Sequence, residues 1–459
     1  MTTYYVGPGG NDGNAGTSWA ARKATLTGAE DIPVVANDTV YVGPGTYRET
    51  LTLDVSGSSG QPITYIGDVT GANTDGVGGL VRITGSDNDQ TGTRDYCVTD
   101  NGRSYRTFRG FAFEGALESQ FHVTGGGANV IIEDCQFFCG GAYDTRDVYV
   151  SESTPTNITI RRCLFWGYGQ GVYFYSGSDT AASGCTVTNC LFTGKYYGLV
   201  CNNVSGVSMS HCTVVGAAYS VYVNSLAASS SITLRNSQFL GCHYNLYSSA
   251  AGQIDEDYNN VTGSYTDRTN VTAGANSVAY IPGLWAAPLF DGVRLPAVVP
   301  GDLAPWSALR GFVGSATQTD DLYGVTRPTT ASKQSLGAVQ YQPVVREAST
   351  TYDSSAASLE LSDAGEVQFR APVTATSTTI SVRAYREANY AGTNPQMIIM
   401  QAGQSDRTTT DTGSAGAWNQ LTDTFTPAAT PDYVVVVLRS NNTATSGSYA
   451  AYFDALAVS

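Results

Sequence analysis

From Thr39 to about Asp257 the chain is built of short runs in which apolar and polar residues alternate, broken every few positions by Gly, Asn or Ser. A period of two predicts strands with one buried face. The runs also repeat one another. The segments ANVIIEDCQFFCG (128–140), TNITIRRCLFWG (156–167), SGCTVTNCLFTG (183–194), SGVSMSHCTVVG (205–216) and SSITLRNSQFLG (230–241) superimpose with Cys135, Cys163, Cys190, Cys212 and Ser237 in one column. An earlier copy, RTFRGFAFEG (106–115), puts Gly110 in that column. Each unit adds a second short strand, at Phe121, Val148, Val172, Leu199, Val221 and Asn245 and the two residues after each. Units this short cannot bury an apolar side singly, so they must stack as coils of a solenoid. Alternation then puts Ile158, Ile160, Cys163 and Phe165 inside.

The coil repeat, the opening YYVGPGGNDGNAGTSW followed by NDTVYVGPGTYRE, and the closing DLYGVTRP…SLGAVQY resemble the right-handed parallel β-helix of the pectate-lyase-like superfamily over roughly residues 1–343. Thr39–Val42, Ile63–Ile66 and Val81–Ile83 read as initial coils, and the stretch from Trp19 to Glu30 as an amphipathic cap over the open end. After Asp257 the period fades into a stretch with Pro282, Pro288, Pro296, Pro300 and Pro305, read as irregular chain covering the other end. Residues 344–350 read as a linker. From 351 to 459 there is no Cys and clean alternation returns at Thr379–Tyr385, Gln396–Gln401 and Tyr433–Leu438, a β-sandwich pattern. The final string GAWNQLTDTFTPAATPDYVVVVLRSNN…GSYAAYFDALAVS resembles the last strands of jelly-roll carbohydrate-binding modules. That resemblance implies carbohydrate as a ligand and a structural calcium at Asp454. The expected fold class is all-β, a parallel β-helix solenoid followed by a jelly-roll sandwich.

Composition narrows the functions. Among 459 residues, 24 basic against 39 acidic side chains give a net charge of −15, and Lys occurs only at Lys23, Lys195 and Lys333. Such a surface repels phosphate backbones, which argues against nucleic acid. No apolar run is long enough to span a membrane. The start, Met1–Gly13, has neither the basic nor the apolar part of a cleavable secretion signal. The nine Cys lie between Cys97 and Cys242 at repeat spacing, with no CxxC pattern, and read as buried thiols.

For chemistry, Asp144, Asp147 and Glu152 beside Arg146 form the densest acidic group, and paired carboxylates suit glycoside hydrolysis. Lyases of the resembled superfamily use Lys or Arg as base beside calcium held by carboxylates; Arg161 and Arg162, one coil above Glu133 and Asp134, match that pattern. The column Asp134, Arg162, Asn189, His211 and Asn236 falls at a bend where polar turn residues are expected in any case. His122, His211 and His243 share no position in the repeat and read as surface or turn residues, and Asp255–Asp257 as a solvated acidic run.

Tyrosine stands out at 29 residues against 15 Phe. Alternation points His122, Tyr149, Tyr173, Val200, Tyr222 and Leu246 outward in one column, with Tyr197, Tyr219 and Tyr244 just ahead of it. Such a stripe suits sugar rings or a neighbouring subunit, and it is also what an exposed sheet favours by propensity alone. In the sandwich, Tyr385, Tyr390 and Trp418 are the candidate sugar contacts. Together these features point to a tail-fibre or spike-type adhesion protein at a virion surface or outside the cell, its β-helical stalk presenting the C-terminal sandwich as the glycan-binding part, homo-oligomeric and by habit of such spikes trimeric, with other virion proteins as partners. The alternatives are a polysaccharide lyase or glycosidase, and a purely structural surface protein.

Overall fold

A computed structural model of the chain describes residues 1–30, 34–89, 91–139, 144–226, 230–262, 265–277, 279, 319–320, 322, 346–347, 358–362, 366–372, 377–388, 390, 392–400, 406–427, 433–442 and 450–458. The chain divides into two compact units, Met1–Tyr341 and Gln342–Ser459.

The first unit is a parallel β-solenoid with three faces: one ten-stranded and two nine-stranded sheets, each joining equivalent strands of successive coils. One coil shows the plan. Thr156–Arg161 lies in the ten-stranded sheet, Leu164–Trp166 in a sheet of mostly three-residue strands, and Gln170–Ala181 in the third sheet. Between the first two strands the chain must bend within two residues, and the bend residue takes a left-handed conformation in coil after coil: Asp134, Arg162, Asn189, His211, Asn236 and Tyr258, all with φ between 52 and 55°. Asp, Asn and His tolerate this region best. Arg162 and Tyr258 are the costly members, and the Arg162 guanidinium is held in place by Asp134, Glu133 and Asp320.

Because the next residue points inward, the expected interior columns form. Cys135, Cys163, Cys190 and Cys212 are all buried and unbridged. Each Sγ bonds the carbonyl two residues back, at 3.1–3.4 Å. Ser237 Oγ makes the same bond at 2.9 Å, which explains why serine can continue the column. Burial holds the thiols of Cys135, Cys163 and Cys190 far above their ordinary range, so they are inert. Thiol titration after denaturation under non-reducing conditions is expected to find all nine free; a bridged column would contradict this packing. Alongside, Phe113, Phe137, Phe165 and Phe192 stack at 4.5–5.0 Å, the strand spacing.

The stretch from Trp19 to Glu30 contains a 3-10 turn at Trp19–Ala21 and the helix Leu26–Glu30. Glu30 is paired with the fully buried Arg106. The coil pattern does not stop at Asp257: Asn260–Thr262 and Thr266–Thr269 extend two of the sheets. In the acidic run, Glu256 is buried rather than solvated, and it accepts from Arg268, Asn259 and Ser277. The proline-containing stretch lies outside the described residues.

In the second unit, a five-stranded and a four-stranded antiparallel sheet contribute to a single hydrophobic core that includes Ile380, Val382, Met397, Leu421, Val436 and Phe453. Arg346–Glu347, within the expected linker, pairs with the strand Ser358–Ser362.

Candidate functional site

The third sheet carries a surface rich in aromatic rings. Its strands Ser119–Thr124, Arg146–Ser151, Gln170–Ala181, Tyr197–Ser205, Tyr219–Asn224 and Tyr244–Ser248 run in register. Pairing aligns His122, Tyr149, Tyr173, Val200, Tyr222 and Tyr247. The last member differs from the sequence reading: Leu246 is inside, fully buried, and Tyr247 takes the outward position. A second column beside it contains Tyr197, Tyr219 and Tyr244. Across six strands the main column is about 24 Å long.

The rings do not stand apart as separate platforms. His122 lies 4.9 Å from Tyr149 at 5°, Tyr149 5.5 Å from Tyr173 at 23°, and Tyr222 5.0 Å from Tyr247 at 4°. In the second column the spacings are 5.1 and 4.8 Å. Stacked this way, the faces cover one another, and ring edges and phenol hydroxyls are what the column offers outward. Val200 interrupts the stack and sets Tyr173 and Tyr222 two strand spacings apart, about 9.6 Å. Asn202, in the same strand as Val200, donates to the Tyr173 hydroxyl at 3.1 Å. The Arg146 guanidinium lies over Tyr149 at 4.7 Å and Tyr173 at 5.3 Å. His122 is a structural member of this stack, not a surface residue. It is nearly buried, meets Ser151 Oγ at 2.7 Å, and burial brings its pKa down to about 4, leaving a neutral ring at physiological pH.

The acidic group expected from the sequence does not assemble. Asp144 is exposed in a turn. Asp147 is sealed in the interior against Lys195. Glu152 accepts from the backbone N–H groups of Gly126 and Gly127 at 2.8 and 3.3 Å. Arg161 and Arg162 are neutralised: Arg161 pairs with Glu133 and Arg162 with Asp134 and Asp320. His211 is buried at its turn, and His243 stacks on Tyr265 at 4.5 Å.

Two residues that sequence reasoning missed stand out. Lys195 is one, signalled only by the rarity of lysine. Asp100 is the other: fully buried, it accepts from Thr124 N–H and Gly102 N–H, while its Oδ2 has no partner among the described residues. Burial, with the Glu152 charge nearby, pushes its carboxyl up to about 7.

In the second unit, Tyr385 and Trp418 are both half-buried, with ring centroids 5.5 Å apart. Tyr390 is a core residue instead of a surface contact, with its hydroxyl donating to the Thr393 carbonyl at 3.2 Å. Asp454, in the final strand Ala450–Val458, is in register with Arg383 of the strand Thr378–Arg386, and its side chain lies outside the described residues. Among the described residues no group of three or more His, Cys, Asp or Glu is arranged to hold a metal ion, and no helix is long and apolar enough to cross a membrane.

Comparison with known proteins matches residues 70–239 to the family described as right handed beta helix region. No curated protein matches the sequence. Similar solved structures include a rhamnogalacturonan lyase (17% identity, 60% of this chain and 87% of that one, TM-score 0.42). A lacto-N-biosidase from Eubacterium ramulus is similar at 12% identity over 61% of this chain and 68% of that one, TM-score 0.34. The tailspike protein 4 enzymatically active domain of Bacteriophage CBA120 is similar at 9% identity over 92% and 64%, TM-score 0.21. The coil geometry above makes the first unit a parallel β-helix, and over residues 70–239 its sequence matches the right-handed class of that fold.

Proposed function

We propose that this chain is a surface adhesion protein, of virion or extracellular type, that binds carbohydrate along the aromatic face of its β-helix. The observation that carries the reading is the register-locked double column of half-buried tyrosines. The sheet orders these rings in advance, so little side-chain entropy is lost on binding. Their hydroxyls, spaced at the strand repeat, suit the hydroxyl-rich edge of a glycan, and ring edges suit its apolar patches. The net charge of −15 favours a neutral glycan over an anionic one. The Tyr385–Trp418 pair of the second unit is the second contact in this reading.

The test is a glycan array with the full chain, Tyr149→Ala/Tyr222→Ala, and Tyr385→Ala/Trp418→Ala. At about 1 kcal/mol per ring, each double variant is expected to weaken binding roughly tenfold or more. Unchanged glycan binding with a shift in oligomeric state for Tyr149→Ala/Tyr222→Ala would instead assign the face to subunit packing, as in a homotrimer. Release of cleaved product would favour a lyase or glycosidase.

A further inference from the structure

Asp147 and Lys195 meet where neither is expected. In a chain with three lysines, Lys195 is fully buried, and so is Asp147. The strand Arg146–Ser151 carries Asp147, while Lys195 follows the strand Leu191–Thr193 of a later coil and brings Nζ into direct contact with Asp147 Oδ2. Apart from each other, neither side chain has a hydrogen-bond partner among the described residues. Register explains this isolation. The two positions following Asp147 in its column are Gly171 and Gly198, set by the flanking pairs. A Cβ at Gly171 would lie 2.5 Å from the Gly198 carbonyl oxygen and 2.8 Å from the Phe192 ring. On its other side the column holds Gln120, set by the pairs flanking Asp147, but the Gln120 Oε1 accepts from Cys97 Sγ and the Ala116 N–H at 3.2 Å, so among the described residues the carboxylate meets Lys195 alone.

An ion pair so placed loses hydration on both sides and has no supporting hydrogen bonds to recover it. An amide would keep the contact and remove both charges.

We propose that Lys195 and Asp147 join in an intramolecular amide, so that this contact is a self-modification site tying separate coils of the solenoid covalently. The balance needs no co-reactant. A proton passes from the Lys195 ammonium to the Asp147 carboxylate; the freed Nζ lone pair attacks Cγ. The Nζ–Cγ bond forms, a second Nζ proton moves to the departing oxygen, and the Cγ–O bond breaks with loss of one water. Burial, which the Lys195 charge only partly offsets, holds the Asp147 carboxyl above its ordinary range and so favours the uncharged acid that the step requires.

The test is mass spectrometry of the full chain, denatured and reduced. The wild type is expected about 18 Da, one water, below its sequence mass. Trypsin is expected not to cleave after Lys195 and to yield a branched peptide that joins the segments around Lys195 and Asp147. Lys195→Arg, which keeps the charge but offers no amine to acylate, is expected at its full sequence mass. Wild-type protein at full mass, with the two residues in separate linear peptides, overturns the proposal. So does loss of water without the branched peptide, which assigns the loss to ring closure at a single aspartate.

Discussion

Replacing Phe165 by alanine is expected to cost about 3–5 kcal/mol of stability, and Tyr173→Ala well under half as much. Phe165 is fully buried and stacks between Phe137 at 5.0 Å and Phe192 at 4.5 Å, so truncation leaves a cavity walled by neighbours that the coil hydrogen bonds hold apart. The surrounding sheets cannot collapse into it without breaking register. Tyr173 is half-buried on the outer face, and its loss removes one stack and the hydrogen bond from Asn202. Denaturant melts of the two variants check this. Equal losses would show that inside and outside had been assigned the wrong way round, and the aromatic face would go with that assignment.

Asp100→Asn is expected to stabilise the protein at pH 8.5, by up to about 4 kcal/mol, and to have little effect at pH 4. The folded carboxyl titrates at about 7 against an ordinary 3.8, so folding favours the protonated form. Its stability contribution is therefore most favourable below the unfolded value and is lost as pH rises toward 7, where a charge must be held without solvent. Asparagine supplies the neutral form at every pH. Its Oδ1 retains the bonds from Thr124 and Gly102, and its amide N–H groups replace the unpartnered Oδ2 near the Glu152 carboxylate. Chemical denaturation of wild type and variant at the two pH values is the measurement. An identical difference at both would mean that Asp100 is not titrating in this range.

Much of the architecture was legible in the chain because a solenoid writes its geometry as a repeat. Columns of Cys and Phe at coil spacing could only be stacked interior ladders, and the polar column through Asp134, Arg162 and Asn189 could be read as a turn, since a bend recurring in every coil selects residues that tolerate positive φ. Alternation gave the outward phase of Tyr149, Tyr173 and Tyr222, and it slipped by one at Leu246 and Tyr247, where strand length alone does not fix register and pairing with Tyr222 does.

The candidate chemistry was much less legible. Asp144, Asp147 and Glu152 are close in sequence, but one faces solvent, one points into the core and one caps a turn, because each sits at a different point of the coil's path. Lys195 reaches Asp147 from another coil, and Asp320 reaches Arg162 across 158 residues. Tyr390 looked like Tyr385 in sequence, but it lies in the connection between the strands Thr378–Arg386 and Gly392–Met400 and turns into the core, whereas Tyr385 is half-buried within a strand. The sequence by itself determined the coil and the identity of its interior columns, since those follow from periodicity that any stacked chain must obey, while the division of each coil into three strands came with the structure. Tertiary structure decided which charges meet, how far each ring is covered by the next, and which carboxyls lose their solvent, because these depend on distances between coils that no local pattern encodes.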